Sequence, residues 1–170
     1  MANTYQLIQA QNLVSDAASV TFSSIPGTYT DLALRMSTRA TPVGVIESIK
    51  LRFNNDSGTN YSYTLLRGSG SSASSANSVS NDIIEVNGSP GANITANTFS
   101  NNEIYIPSYT VSQSKALSTS SIVENNSSTG YQEAGAALWR NNAAITSILI
   151  DVSGSFVTGS SFYLYGIKNS

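Results

Sequence analysis

Between residues 47 and 53 the chain runs Glu-Ser-Ile-Lys-Leu-Arg-Phe, with apolar side chains at Ile49, Leu51 and Phe53 and charged ones at Lys50 and Arg52. Successive side chains of a β-strand point to opposite faces, so a period of two predicts a strand with one face buried and one wet. The same alternation recurs along almost the whole sequence and constrains the fold more than any other feature. In residues 31–37, Leu32, Leu34 and Met36 share a face. Further strands are expected at 5–10, 19–23, 61–67, 82–86, 103–109, 115–124, 135–140, 145–152 and 161–167. Turn signals separate them at Pro26-Gly27, 54–58, Asn87-Gly88, Ser89-Pro90-Gly91 and Ser153-Gly154. The alanines of 132–144 could be drawn as a helix. Gly130 and Gly135, with no N-cap ahead of an apolar stripe, favour a strand there.

About eight to ten strands with no helix between them predict an all-β, antiparallel β-sandwich of jelly-roll-like form. The 170 residues are 40% apolar, which suits one medium-sized core rather than two small ones. A single domain, 1–170, is therefore expected. Within it, residues 1–16 are expected as an N-terminal arm. Residues 68–78, Gly-Ser-Gly-Ser-Ser-Ala-Ser-Ser-Ala-Asn-Ser, have almost nothing to bury and are expected as a flexible exposed loop. Edge strands in such a fold invite pairing with other chains. Few charges or prolines guard against that here, Pro107 being an exception.

The chemistry available is narrow. Cysteine and histidine are absent and only 11% of residues are charged, so activation of a serine would fall to a lysine or a carboxylate. Lys50, Lys115 and Lys168 stand alone, and none completes an S-x-x-K arrangement. No catalytic residue and no cofactor is expected, and the chain is taken as non-enzymatic. Asn54, Asn55, Asp56 and Asn60 offer the oxygens that hard cations prefer, yet with one carboxylate such a site would be weak, and an Asx-rich turn explains the same residues, so no metal is expected. Eight basic and ten acidic residues give a net charge of −2 without clusters, which argues against a nucleic-acid partner. No stretch approaches the length of an apolar membrane span. The first residues lack a secretory leader pattern, so synthesis in a cytosol is expected.

Aromatic side chains beside Asn, Ser and Asp suit sugar binding, and Trp139 and Tyr63 are the candidates for an exposed stacking surface. Tyr5 and Leu7 near the start, and Tyr163 and Tyr165 near the end, are candidates for an oligomer or partner interface.

Three stretches carry a resemblance. They are residues 24–35 (SIPGTYTDLALR), residues 51–62 (LRFNNDSGTNYS) running on through 66–73 (LRGSGSSA), and a C-terminal block from Leu138-Trp139-Arg140 through 144–148 to 162–168 (FYLYGIK). In this order they resemble a family of small virion structural proteins of tailed bacteriophages, especially those of marine and freshwater bacteria. The resemblance covers rather less than half the chain. It implies a jelly-roll-like sandwich assembled as a homotrimer on the outer surface of the phage particle, made in the cytoplasm of a bacterial host. It further implies a head decoration, or cement, protein whose partner is the major capsid protein. The alternative station is a tail or fibre tip that recognises host glycan.

Overall fold

The alternation resolves into two packed sheets. A computed structural model describes residues 4–124 and 130–168. Among these the strands are β1 (Tyr5–Asn12), β2 (Ala17–Phe22), β3 (Asp31–Ser37), β4 (Ile46–Phe53), β5 (Tyr61–Ser69) and β6 (Ser72–Asn81), then β7 (Ile84–Pro90), β8 (Asn101–Ile106), β9 (Lys115–Glu124), β10 (Gly130–Trp139), β11 (Ile148–Phe156) and β12 (Ser161–Ile167). The larger sheet has the order β1-β12-β3-β8-β9-β10-β5-β6 and the smaller β2-β11-β4-β7. All pairings are antiparallel, and four of them nest: β1 with β12, β2 with β11, β3 with β8, and β4 with β7. The chain thus runs out and back like one long hairpin rolled over on itself. Two further hairpins, β5–β6 and β9–β10, are inserted into this path, and both extend the larger sheet beyond β8.

The core lies where the alternating apolar residues of the two sheets meet. Ile49, Leu51 and Phe53 of β4 are fully buried, as are Leu32 and Leu34 of β3 and Ile148 and Ile150 of β11. Each such side chain contributes roughly 1.5–3 kcal/mol on burial, so this layer outweighs any surface ion pair. Phe53, Tyr61 and Trp139 close one end, with Trp139 centred 5.5 Å from the Phe53 ring and 6.3 Å from the Tyr61 ring. The Tyr61 hydroxyl accepts from Phe53 N at 3.0 Å, which satisfies it without solvent.

Several expectations need correction. Among the described residues twelve strands form, where about eight to ten were expected. The described part of the proposed N-terminal arm, beyond residues 1–3, contains β1, which pairs with β12 along an edge of the larger sheet. The 68–78 segment is not a loop: Ser69 pairs with Ser72, and Gly70 at φ 59 turns the chain through two residues from β5 into β6. That matches a type II′ hairpin, which takes glycine at its first central position. Asn87-Gly88 and Ser89-Pro90 lie inside β7, and Ser153-Gly154 forms an irregularity within β11. Pro107 follows β8, an interior strand, and ends it rather than guarding an edge.

Candidate functional site

In β9 the buried face is Lys115, Leu117, Thr119, Ser121 and Val123, leaving Ala116, Ser118, Ser120, Ile122 and Glu124 outside. Register carries this outer row across the larger sheet. Ser118 lies between Tyr105 of β8 and Ala136 of β10. Ala136 lies opposite Thr64 of β5, and Tyr105 opposite Ala33 of β3. Ala33 meets Tyr165, and Tyr165 meets Leu7 at the far edge. A parallel row joins Tyr163, Arg35, Glu103, Ser120, Ala134 and Leu66. Seven strand spacings of about 4.8 Å make this face roughly 34 Å wide. With strands roughly 20–30 Å long, its plan area is on the order of 700–1,000 Å², comparable with the roughly 800 Å² per partner of a stable interface.

Its surface is chiefly small and neutral. At mid-face Arg35 and Glu103 pair with each other, Nε to Oε2 at 3.2 Å, and so offer a partner little net charge. Shallow depressions of about 240 to 330 Å³ run along β8, β9, β10, β5 and β6 over Ser120, Ala134, Ala136 and Gly68. Leu66 is 63% exposed and Ile122 48% exposed within this stretch.

The four interface candidates from the sequence gather at the β1–β12 end of the face. Tyr5 and Tyr165 meet edge to face with ring centroids 6.4 Å apart, and the Arg35 guanidinium stands 5.7 Å over the Tyr5 ring. Leu7 is half exposed beside Tyr165. The Tyr163 hydroxyl donates to Asn12 Oδ1 at 2.9 Å. Tyr105, which sequence reasoning did not single out for this surface, belongs with them. Its hydroxyl donates to Asp31 Oδ2 at 2.6 Å, and that bond, with burial and the carboxylate charge, pushes its pKa up to about 12. The missing signal was register: only the pairing of β8 with β3 brings Tyr105 beside Ala33 and Tyr165.

Neither sugar-stacking candidate stands on this surface as an exposed ring. Trp139 is fully buried, and its indole N–H donates to Asp56 Oδ2 at 2.8 Å. Tyr63 turns inward with Tyr61 and Leu65, and its hydroxyl donates to Glu85 Oε2 at 3.3 Å across the sandwich. The reason is parity. Both residues fall on the core phase of β5 and β10.

The Asn-rich turn is also committed internally. Asn54 and Asn55 have φ of 52° and 55°, and Asp56 N donates back to Phe53 O at 2.9 Å, the pattern of a type I′ turn. Asn54 Oδ1 accepts from Thr146 N and Ser147 N, while its Nδ2 donates to Ala144 O. Asp56 accepts from Gly58 N, from the side chains of Asn60 and Asn141, and from Trp139. Partial burial pushes its carboxyl upward, but those four donors more than reverse this and hold it at about 2. These oxygens face N–H groups, an arrangement that repels a cation. Among the described residues no group of three or more acidic side chains is placed to hold a metal.

Other buried ionic groups have structural partners. Glu133, fully buried, accepts from Arg67 Nε at 2.5 Å. Arg39 donates to the carbonyls of Thr95, Thr98 and Ile94 and so gathers the segment between β7 and β8 around itself. Lys115, lowered by burial, donates to Gln113 O and lies 5.9 Å from the Trp139 ring. No protein-family model, curated protein or solved structure matches this chain. Among the described residues no helix is long and apolar enough to cross a membrane.

Proposed function

We propose that this chain is a non-enzymatic virion structural protein of a tailed bacteriophage: a head decoration protein that binds the major capsid protein on the outside of the particle and cements it as a homotrimer. The observation that carries this reading is the outer face of the larger sheet, wide enough for a stable interface, nearly free of net charge, and bearing Tyr5, Leu7, Tyr163 and Tyr165 at one end. Nested pairing of β1 to β4 with β12, β11, β8 and β7 in an antiparallel sandwich is in keeping with a jelly roll and supports the same reading. The buried ionisable groups named above serve the fold, in keeping with a protein that binds rather than reacts. Contacts through apolar and neutral hydrogen-bonding groups keep their strength in salt, where charge interactions are screened within about 8 Å at physiological ionic strength. Three copies acting together would be retained through avidity without any one strong site.

A second reading, a tail or fibre tip for host glycan, draws on the half-exposed Tyr5 and the partly buried Tyr163 and Tyr165 of the same face, because Trp139 and Tyr63 point inward. Co-sedimentation of the purified protein with capsids lacking it separates the two. Saturable binding that changes little between low and high salt is expected. Absence of capsid binding, with capture of the protein on a glycan array, would overturn the decoration reading in favour of the second.

A further inference from the structure

Among the described residues the two sheets have four free edges, and three of them are guarded. β1 is interrupted mid-strand by an irregularity between Leu7 and Gln9. β7 carries Glu85 and ends in Pro90, and it packs beneath β9, β10 and β5. β2 is only six residues long. The fourth edge, β6, has none of these devices. Its ten residues, Ser-Ala-Ser-Ser-Ala-Asn-Ser-Val-Ser-Asn, include no charge and no proline, and most are exposed. From Ser72 to Ser78 it stays in unbroken register with β5, and the irregularity comes only beyond, toward Asn81.

Such a strand presents a straight row of backbone donors and acceptors about 24 Å long on its far side. Among the described residues β5 is its one strand partner, and only Ala76, Ser78 and Asn81 of its ten residues are partly buried. Natural sheets rarely leave an edge of this kind open. We propose that β6 pairs antiparallel with β6 of a second copy of this chain, joining the two larger sheets across a two-fold axis.

Charge and side-chain size favour a second copy as the occupant. About a two-fold axis the strand meets its own sequence, and an uncharged strand of Ser, Ala and Asn then sets no like charges opposite one another. Centred on Ser75, the pairing puts Ser75 against Ser75, Ser74 against Ala76, and Ala73 against Asn77. These are small pairs that fit closely, and the hydroxyls and amide can bond across the axis. Leu66, 63% exposed beside Ser75 on β5, and Val79, 66% exposed, lie next to the junction and lose solvent when it forms. The contact is isologous, so it yields a dimer, or links trimers in pairs. It does not depend on where the protein resides.

Analytical ultracentrifugation of the full chain over a wide concentration range tests this, with the double variant Ser75→Lys/Asn77→Lys beside the wild type. Both positions are exposed, so the variant should fold, and an unchanged circular-dichroism melt checks that it does. We expect concentration-dependent doubling of mass in the wild type and at least about tenfold weaker doubling in the variant, because the new charge at 75 meets its own copy across the axis and the charge at 77 lies diagonal to it. Amide hydrogen exchange at Ser72–Ser78 should slow as wild-type concentration rises. A wild type that never doubles overturns the proposal, as does doubling that the lysines leave unchanged. Exchange at Ser72–Ser78 that is independent of concentration while mass doubles overturns it too, because the contact then lies elsewhere.

Discussion

Removing the Asp56 carboxylate should destabilise the protein by about 3 kcal/mol at neutral pH. In Asp56→Ala the Trp139 indole N–H, buried in the core end, loses its acceptor at 2.8 Å. An unsatisfied buried donor costs roughly 1–3 kcal/mol. The Gly58, Asn60 and Asn141 donors lie nearer solvent and add roughly 0.5–1 kcal/mol together after rehydration. An independent figure comes from proton linkage. The carboxyl falls from 3.8 in the unfolded chain to about 2 in the fold. Because the folded value is depressed, the stabilisation is fully present above about pH 4 and is lost as pH falls toward 2. The full shift would be worth about 2.4 kcal/mol, and partial exposure of the carboxylate discounts it to about 1–2 kcal/mol. Urea denaturation of wild type and Asp56→Ala at pH 7, 4 and 2 measures both quantities. The gap between the two proteins should be widest at pH 7 and shrink between pH 4 and 2. A gap under about 0.5 kcal/mol at pH 7, or one that does not narrow in acid, would refute the structural role of this turn. Millimolar calcium should leave the wild-type Tm unchanged, since the oxygens are already taken by N–H donors.

Three further outcomes follow from named contacts. Gly88→Ala would bring a methyl carbon to 2.2 Å from Asn102 Oδ1 and 2.5 Å from Ser121 Oγ, both on buried side chains, and should cost about 1–3 kcal/mol in urea unfolding. Glu133→Gln strips the partner charge from Arg67 at a fully buried position and should cost about 2–4 kcal/mol, read from the shift in urea midpoint. Ala134→Lys together with Ser118→Lys, both on the exposed outer face of the larger sheet, should change stability by less than about 0.5 kcal/mol while abolishing co-sedimentation with capsids.

The strands most legible in the sequence were those whose alternation separates apolar from charged residues. β3 and β4 keep the predicted faces because Leu32, Leu34, Ile49, Leu51 and Phe53 all fall in one phase. β9 hid its face: Lys115, Thr119 and Ser121 point inward and Ile122 points outward, so hydropathy alone misassigns it. β6 was invisible for a related reason. Its residues are small and mostly exposed, so the sequence shows no apolar alternation, and only the Gly70-Ser71 pair marked its hairpin. Glycine and proline misled at Gly88, Ser89 and Pro90, where β7 runs on: Gly88 is required by the close approach of Asn102 and Ser121, not by a turn. For the interaction surface, Tyr5, Leu7, Tyr163 and Tyr165 converge because the first and last strands pair. Composition put Trp139 and Tyr63 forward as exposed rings, whereas strand parity buries Trp139 in the core and lays Tyr63, partly buried, against it.

The proposed decoration role is tested most directly by a cryo-EM map of the purified virion at a resolution that shows sheets. The account predicts copies of this sandwich over the capsid shell, grouped in threes, with the outer face of the eight-stranded sheet turned toward the major capsid protein. Density for the sandwich at the tail tip alone, or a shell that carries none of it, would contradict the account.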